Sequence, residues 1–131
     1  MTIFEKIINR EIPSYIVWED DKHIAILDIN PVQPGHTLVM PKVVTDYLFD
    51  MNDTEYSDLM LATKEVANIL KEKLSCKRVC VIIEGYEIPH VHVKLIPTNS
   101  PRDLVLNNDL AERPINHEAL QETLVKILRM Y

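Results

Sequence analysis

The apolar positions of this chain recur with two periods, and the helical period predicts three helices. Residues 3–8 place isoleucine and phenylalanine at helical spacing, and Pro13 stops the pattern. A longer helix is predicted over residues 52–74, because Asn52 and the glutamate three positions later have the spacing of a capping box. A final amphipathic helix is predicted over about residues 116–130. The long helix is expected to bury Tyr56, Leu59, Met60, Thr63, Val66, Ala67, Leu70 and Leu74, and the final helix Leu120, Leu124, Ile127 and Leu128.

Segments with the composition of β-strands occupy much of the remaining chain. Residues 14–19 and 23–28 are rich in such residues and flank an acidic turn, which predicts a hairpin. After a loop with two prolines and a glycine, residues 36–40 resume as a strand. Residues 79–84 are apolar on both faces and predict a central strand, and residues 90–97 form the last strand. Helices and strands in this order predict an α+β fold.

Length, charge and cysteine content limit the class of protein. With 131 residues, the chain is expected to form one domain, residues 1–131, around one hydrophobic core. Apolar runs long enough for a membrane span and the features of a secretory signal are both missing, so we expect a cytoplasmic protein with no membrane partner. A net charge of −6 disfavours nucleic acid as a partner. Cys76 and Cys80 fit neither a redox nor a zinc motif and are expected to be buried, reduced thiols.

Three basic side chains alternate with apolar ones along the last predicted strand. Successive side chains of a strand point to opposite faces, so His90, His92 and Lys94 are expected to share one face. The apolar residues between them would hold this register in the core. A row of basic groups beside a loop rich in proline and glycine is suited to binding an anion.

Phosphate chemistry is the most specific interpretation of this row. An imidazole with a pKa of about 6.5 is largely neutral near neutral pH, so one ring nitrogen has a lone pair that can attack phosphorus. A covalent phosphohistidine at His92 would then be resolved by water. Two other interpretations stay open here: a solvated strand face, and chelation of a metal such as Zn²⁺, which the charge of Lys94 disfavours.

Three blocks of sequence, in order, resemble the histidine triad (HIT) family, a group of nucleotidyl hydrolases and transferases that includes nucleoside phosphoramidases. Residues 3–13 are similar to its opening helix, residues 28–42, with their Pro-Gly-His, to its next block, and residues 90–97 to its signature. The resemblance favours the phosphoramidase-like and bacterial hydrolase branch. It implies an antiparallel sheet of about five strands, with the long helix packed across it and a C-terminal helix.

The resemblance also implies roles for individual residues. His92 is expected to be the nucleophile, His90 to orient the site through its ring hydrogen bonds, and His36 to support the nucleophilic imidazole. Asp28 falls on the acidic position that binds the ribose hydroxyls. The apolar slot for the base is expected to consist of Ile3, Phe4, Ile7, Ile26, Leu27 and Ile29.

Judged without the family, several of these residues have simpler explanations. Asp28 is a residue type common in turns at strand ends, and His36 could start a strand with its ring satisfied. The apolar slot residues could be ordinary core. His23 and His117 have acidic or polar neighbours and are expected at the surface.

Departures from the family pattern change the expected chemistry. Lys94 stands where the signature has its third histidine, and an ammonium with a pKa of about 10.4 binds phosphoryl oxygens but shuttles protons poorly. Glu87 lies in a short acidic loop at the nucleotide site, where it would weaken phosphate binding and favour a cationic leaving group such as an amine. Thr2, Glu5 and Val44 replace the metal ligands of zinc-binding relatives, so neither a metal nor a cofactor is expected.

Two classes of function follow. The first is a hydrolase or transferase that acts on the α-phosphate of a purine nucleoside phosphoramidate, or a related conjugate, through a phosphohistidine at His92. The second is a nucleotide-binding or interaction module in which Lys94 leaves little turnover. The resemblance also implies a homodimer, paired through the long helix and a neighbouring strand. The C-terminal helix is expected to cover the subunit edge or to shape the pocket of the other subunit.

Overall fold

Five antiparallel strands form one sheet in a computed structural model that describes residues 1–104 and 113–129. The strands are β1 (Ile16–Glu19), β2 (His23–Leu27), β3 (Thr37–Pro41), β4 (Arg78–Ile82) and β5 (Val93–Thr98). Their order across the sheet is β1-β2-β3-β5-β4. The predicted α+β fold and the hairpin of the first two strands are confirmed.

Within the described residues, three α-helices pack on this sheet, and two short 3-10 helices span Leu48–Asp50 and Pro101–Leu104. The α-helices are α1 (Ile3–Ile8), α2 (Asp53–Leu74) and α3 (His117–Leu128). Each begins at a side-chain cap, because Thr2, Asn52 and Asn116 accept the backbone N–H of Glu5, Glu55 and Ala119 respectively. α2 ends at Ser75, whose φ of 54° lies in the left-handed region that terminates helices.

The sheet separates two apolar clusters that face opposite sides. Val91, Val93 and Leu95 lie in the cluster beneath α2, which also includes Leu59. The second cluster, beneath α1, consists of Phe4, Ile7, Ile24, Ile26, Leu38 and Met40. The alternation of side chains therefore commits the apolar residues of the signature to the α2 face. His92 lies on the opposite face, where its ring meets the ring of Phe4 with centroids 4.9 Å apart.

Two predicted strands differ from the observed ones. The segment predicted as a central strand is β4, which lies at the edge of the sheet, with Val81 48% exposed. Its apolar composition reflects side-chain packing, which does not reveal how many strands flank it. β5 begins at Val93 rather than at residue 90. The N–H groups of His90 and Val91 donate to the carbonyls of Ile88 and Thr45, outside the strand ladder.

Several smaller predictions about burial are corrected. Tyr56 and Leu128 are exposed, because they lie in the first turn of α2 and at the last residue of α3, where the helical stripe extends past its packing partner. His23 is buried rather than at the surface, with its Nδ1 3.1 Å from a carboxylate oxygen of Asp20 in the β1–β2 turn. Both cysteines are free thiols, Cys76 buried and Cys80 half-buried.

Crossing a bilayer requires a long helix that is apolar along its length. Within residues 1–104 and 113–129, no helix combines the length and the apolar character that crossing a membrane demands.

Leu59→Ala is expected to lower the free energy of unfolding by about 2–5 kcal/mol, because truncating a fully buried leucine leaves a cavity. Leu59 is 0% exposed in the cluster beneath α2, whereas Leu61 on the same helix is 65% exposed. Urea denaturation followed by circular dichroism measures the change. Leu61→Ala is the matched control and should alter stability by less than about 0.5 kcal/mol. Equal losses in the two variants would contradict the observed packing of α2.

Candidate active site

A cavity of about 710 Å³ opens on the α1 face of the sheet. This volume lies within the range of small-molecule pockets. Its walls come from α1, the ends of β2 and β5, the loop before β5, and α3. The lining includes the whole predicted base slot, Ile3, Phe4, Ile7, Ile26, Leu27 and Ile29, together with Asp28, Glu87, His92 and Lys94. The structure therefore brings these sequence-predicted site residues together, and His36 and His90 are buried beside them.

The surroundings of His92 select one tautomer of its imidazole. Nδ1 lies 2.8 Å from the carbonyl oxygen of His90. Because a carbonyl oxygen can only accept, Nδ1 carries the ring proton and donates it. Nε2 of the neutral ring consequently keeps its lone pair. The ring of Phe4 packs edge-on against this imidazole and restricts its rotation.

His90 is fully buried, and its ring serves the backbone rather than His92. Nε2 donates to the carbonyl oxygen of Pro41 at 2.7 Å, which ties the segment before β5 to the end of β3. Among the described residues, Nδ1 has no hydrogen-bond partner. The contact between His90 and His92 runs through the carbonyl of His90, so the predicted orienting role of its ring stays a prediction.

His36 and Asp28 face each other where β3 starts and β2 ends. The backbone N–H of Val32 donates to Nδ1 of His36 at 3.1 Å, so the proton of the neutral ring lies on Nε2. That nitrogen is 3.6 Å from Oδ2 of Asp28, which is longer than a hydrogen bond. Oδ1 of Asp28 accepts the N–H of Asn30 at 2.8 Å. Oδ2 therefore keeps the capacity to accept from a ligand hydroxyl.

Gly35 sets the path of the chain into His36. Its φ is +90°, a conformation that side-chain-bearing residues rarely adopt. A Cβ at this position would also lie 2.3 Å from Cδ1 of Leu74 at the end of α2. The Pro-Gly-His block thus fixes the position of His36 through close packing against the long helix.

Lys94 is paired with a carboxylate that the sequence reasoning did not single out. Its Nζ lies 2.7 Å from Oε1 of Glu84, and the Lys94 side chain is only 15% exposed. Ile82, the last residue of β4, pairs with Lys94, and Glu84 follows two residues later on the same side. Knowledge of this strand register would have been the signal for the ion pair. The carboxylate offsets part of the positive charge that Lys94 presents to the cavity.

Two imidazoles at the phosphate end of the site, those of His92 and His36, are both disposed to be neutral. Burial lowers the pKa of His92 below its ordinary value, and the nearby charge of Lys94 lowers it further, against the hydrogen bond to the His90 carbonyl. Burial also lowers the pKa of His36, opposed by Asp28 and reinforced by Lys94 and His92. A neutral ring with a free nitrogen at His92 is the state that a nucleophile requires.

Comparison with known proteins identifies this arrangement. A family model described as the HIT domain matches residues 9–101, which is more than half of the chain. The chain belongs to the HIT family. Among solved structures, a HIT-like protein from Bartonella henselae superposes with a TM-score of 0.80 at 31% identity, over 96% of this chain and 93% of that chain.

Relatives of this HIT protein include proteins with and without a stated activity. An uncharacterised HIT-like protein of Borreliella burgdorferi is 41% identical over 102 residues, or 72% of this chain and 73% of the relative. An adenylylsulfatase of Arabidopsis thaliana is 40% identical over 105 residues, or 72% and 69%. An adenosine 5′-monophosphoramidase of Saccharomyces cerevisiae is 38% identical over 96 residues, or 72% and 61%.

The cavity of this HIT protein also contains residues that sequence reasoning missed. α3 follows the matched HIT domain, and its residues His117 and Gln121 line the cavity of the same chain. His117 is exposed, as predicted, but its Nδ1 lies 2.5 Å from the hydroxyl of Tyr15. Helical periodicity identified α3, but it contained no signal of the surface against which α3 docks.

The acidic loop before residue 90 borders the cavity. Glu87 and Ile88 are both part of the lining. Glu87 and Asp28 therefore supply negative charge to a pocket whose ammonium, at Lys94, is already paired. Within the described ranges, no three His, Cys, Asp or Glu side chains are grouped so that they could hold a metal ion.

Lys94→Met is expected to raise the pKa of His92, because it removes a nearby cation and leaves Glu84 to attract a proton. In the wild-type protein, that pKa should lie below about 6.5, the ordinary value for histidine. NMR titration of the imidazole C–H resonances measures both values. Lys42→Met removes a lysine whose Nζ instead lies 2.7 Å from Glu19, and it should leave the titration of His92 unchanged. A His92 titration that is the same in wild type and Lys94→Met would argue against the electrostatic contact.

Proposed function

We propose that this protein hydrolyses or transfers the α-phosphoryl group of a purine nucleoside phosphoramidate, or of a related nucleotide conjugate, with His92 as the nucleophile. The observation that carries the proposal is the 2.8 Å hydrogen bond from Nδ1 of His92 to the His90 carbonyl. It leaves Nε2 unprotonated beside a cavity of nucleotide size. The adenylylsulfatase and adenosine 5′-monophosphoramidase relatives support a nucleotide substrate and the phosphoramidase-like branch.

The proposed reaction consists of two displacements at phosphorus. Nε2 of His92 forms a bond to the α-phosphorus while the bond from phosphorus to the leaving nitrogen breaks, and that nitrogen departs as an amine after taking a proton from the solvent, to which the water of the second step returns one. Water then forms a bond to the phosphorus as the bond to Nε2 breaks, and the water releases a proton. The products are the nucleoside monophosphate and neutral His92. Each displacement has a lower barrier than a direct attack by water on the amide.

The nucleoside is proposed to lie across the sheet from the start of β5, over β3, to the end of β2. With its phosphorus at His92, the ribose would reach Asp28, whose Oδ2 can accept a hydroxyl proton. The base would then enter the apolar slot beneath α1. Burial of a purine ring against the isoleucines and Phe4 supplies affinity without requiring a fixed set of hydrogen bonds.

Three further side chains have proposed roles around the reacting phosphorus. Lys94 would bind a phosphoryl oxygen, and its pairing with Glu84 limits the charge it offers. His36 would support the nucleophilic ring by occupying the space between Asp28 and His92 with a neutral imidazole. Glu87 would favour a leaving group with a positive charge, since it adds a carboxylate to the cavity lining.

A second candidate is a nucleotide-binding module with little turnover. The ion pair between Lys94 and Glu84 favours it, because an ammonium bound to a carboxylate is a poor donor of protons to a leaving group. Such a module would retain the slot, Asp28 and the phosphate site. The two candidates therefore differ in catalysis and not in binding.

We further propose that the protein is a homodimer. β4 lies at the edge of the sheet with Val81 half exposed, and the neighbouring Tyr47 and Phe49 are also exposed. An open strand edge with apolar side chains is suited to a second copy of the same chain, which would cover it symmetrically.

His92→Ala is expected to reduce hydrolysis of adenosine 5′-phosphoramidate by at least about 1,000-fold, because it removes the ring nitrogen that is proposed to form the covalent intermediate. AMP binding should remain measurable by calorimetry, since the slot and Asp28 are unchanged. His23→Gln removes a buried histidine outside the cavity and controls for general effects of the substitution. Retention of hydrolysis by His92→Ala would refute the nucleophile assignment.

Lys94→His is expected to raise kcat by about 10-fold to 100-fold, because an imidazole at this position can pass a proton to the leaving amine. Single-turnover kinetics with adenosine 5′-phosphoramidate measures this step. A wild type that binds AMP but turns over only after this substitution would favour the binding module. A wild type with measurable turnover that Lys94→His raises within this range would instead favour the enzyme, and a decrease in Lys94→His would contradict the proposed limit on proton transfer.

A further inference from the structure

The order of the strands gives the cavity two chemically different ends. The strand order places Asp28, after β2, then His36, before β3, and then His92, before β5, in a staggered row across the sheet. Asp28 lies beside His36, whereas the antiparallel pairing of β3 with β5 places His92 towards the other end of β3. β1 continues this row beyond β2, and α3 packs against β1. The wall made by α3 therefore lies at the end of the cavity opposite His92, with Asp28 between the two ends.

One face of α3 is directed into this end of the cavity. His117, Gln121 and Leu124 are spaced by four and three residues, which places them on one helix face, and all three line the cavity. Leu120 and Ile127, on an adjoining face, are buried and anchor the helix. α3 is thus fixed by its apolar residues and presents polar ones to the ligand space.

A hydrogen bond between Tyr15 and His117 holds this wall to the strand beside it. The Tyr15 hydroxyl lies 2.5 Å from Nδ1 of His117, across 102 residues of sequence. Both residues line the cavity. The contact engages one nitrogen of His117 and fixes the first turn of α3 beside the start of β1. Gln121 lies one turn after His117 on α3, so the same hydrogen bond helps to fix the position of its amide beside the cavity.

The polar groups of α3 supply hydrogen-bond donors and acceptors, which the apolar slot does not contain. Isoleucine and phenylalanine side chains bury any purine equally well and cannot distinguish the hydrogen-bonding edges of adenine and guanine. A glutamine amide has both a donor and an acceptor, which match the donor N6 and the acceptor N7 of adenine.

We propose that α3 is the base-recognition wall of this protein and that Gln121 selects adenine over guanine. This inference rests on the proposed function, since Asp28 must hold the ribose for the base to reach α3. It extends that function by assigning base selectivity to residues outside the matched HIT domain.

The test compares AMP and GMP affinities of the full chain by calorimetry. The wild type is expected to bind AMP about fivefold more tightly than GMP, as one net hydrogen bond provides. In Gln121→Glu the preference should reverse, because a carboxylate only accepts and pairs with the N1–H and N2–H groups of guanine. The added negative charge weakens the binding of both nucleotides, so the ratio of the two dissociation constants is the readout. Gln121→Ala, which removes both amide groups, should bring that ratio close to one.

Val125→Glu is the matched control, because it adds the same carboxylate to a half-exposed position of α3 that does not line the cavity. It should leave the ratio at its wild-type value. A ratio unchanged in Gln121→Glu, or equal affinities in the wild type, would overturn the assignment of Gln121 while leaving the proposed function intact. Failure of the wild type to bind either nucleotide would overturn both.

Discussion

The hydrogen bond from Nδ1 of His92 to the carbonyl oxygen of His90 is the interaction on which the site depends. In a regular strand, carbonyl groups lie in the plane of the sheet and bond to neighbouring strands. Here the segment before β5 leaves the ladder, held by the Thr45 carbonyl and, through the His90 ring, by the Pro41 carbonyl. This irregular backbone frees one carbonyl to fix the tautomer of the side chain two residues later. The lone pair that the proposed attack on phosphorus needs follows from that single contact.

Electrostatics around this imidazole are balanced rather than strongly positive. Burial and the ammonium of Lys94 lower the pKa of His92, while Glu84 offsets part of the same ammonium. A histidine as the third basic group would have removed a permanent charge from the cavity and added a group able to move protons. The pair of Lys94 and Glu84 instead gives a fixed dipole. The site thus combines the proposed nucleophile, a neutral imidazole, with limited provision for protonating a leaving group.

The cavity draws its walls from two parts of the chain with different sequence character. Most of it is built from the segment that matches the HIT domain, together with α1 just before it. α3 follows that segment and contributes polar groups beside Tyr15. Under the proposed function, the phosphate would lie at the His92 end of the cavity and the base at the α3 end. The proposed chemistry at phosphorus and the proposed selection of the base would then depend on different residues.

Local sequence determined the positions of the helices and strands, because caps, helical spacing and alternation act over a few residues. Asn52 correctly predicted the start of α2, and the alternation along residues 90–95 correctly predicted that the apolar side chains lie on one face of the sheet and His92 on the other. The edge position of β4, the pairing of Lys94 with Glu84 and the docking of α3 beside Tyr15 were decided only by tertiary structure. Each depends on which distant segments become neighbours, and no local period encodes that choice. The backbone acceptor of His92 belongs to the same class, since its geometry arises from Thr45 and Pro41, more than forty residues earlier in the chain.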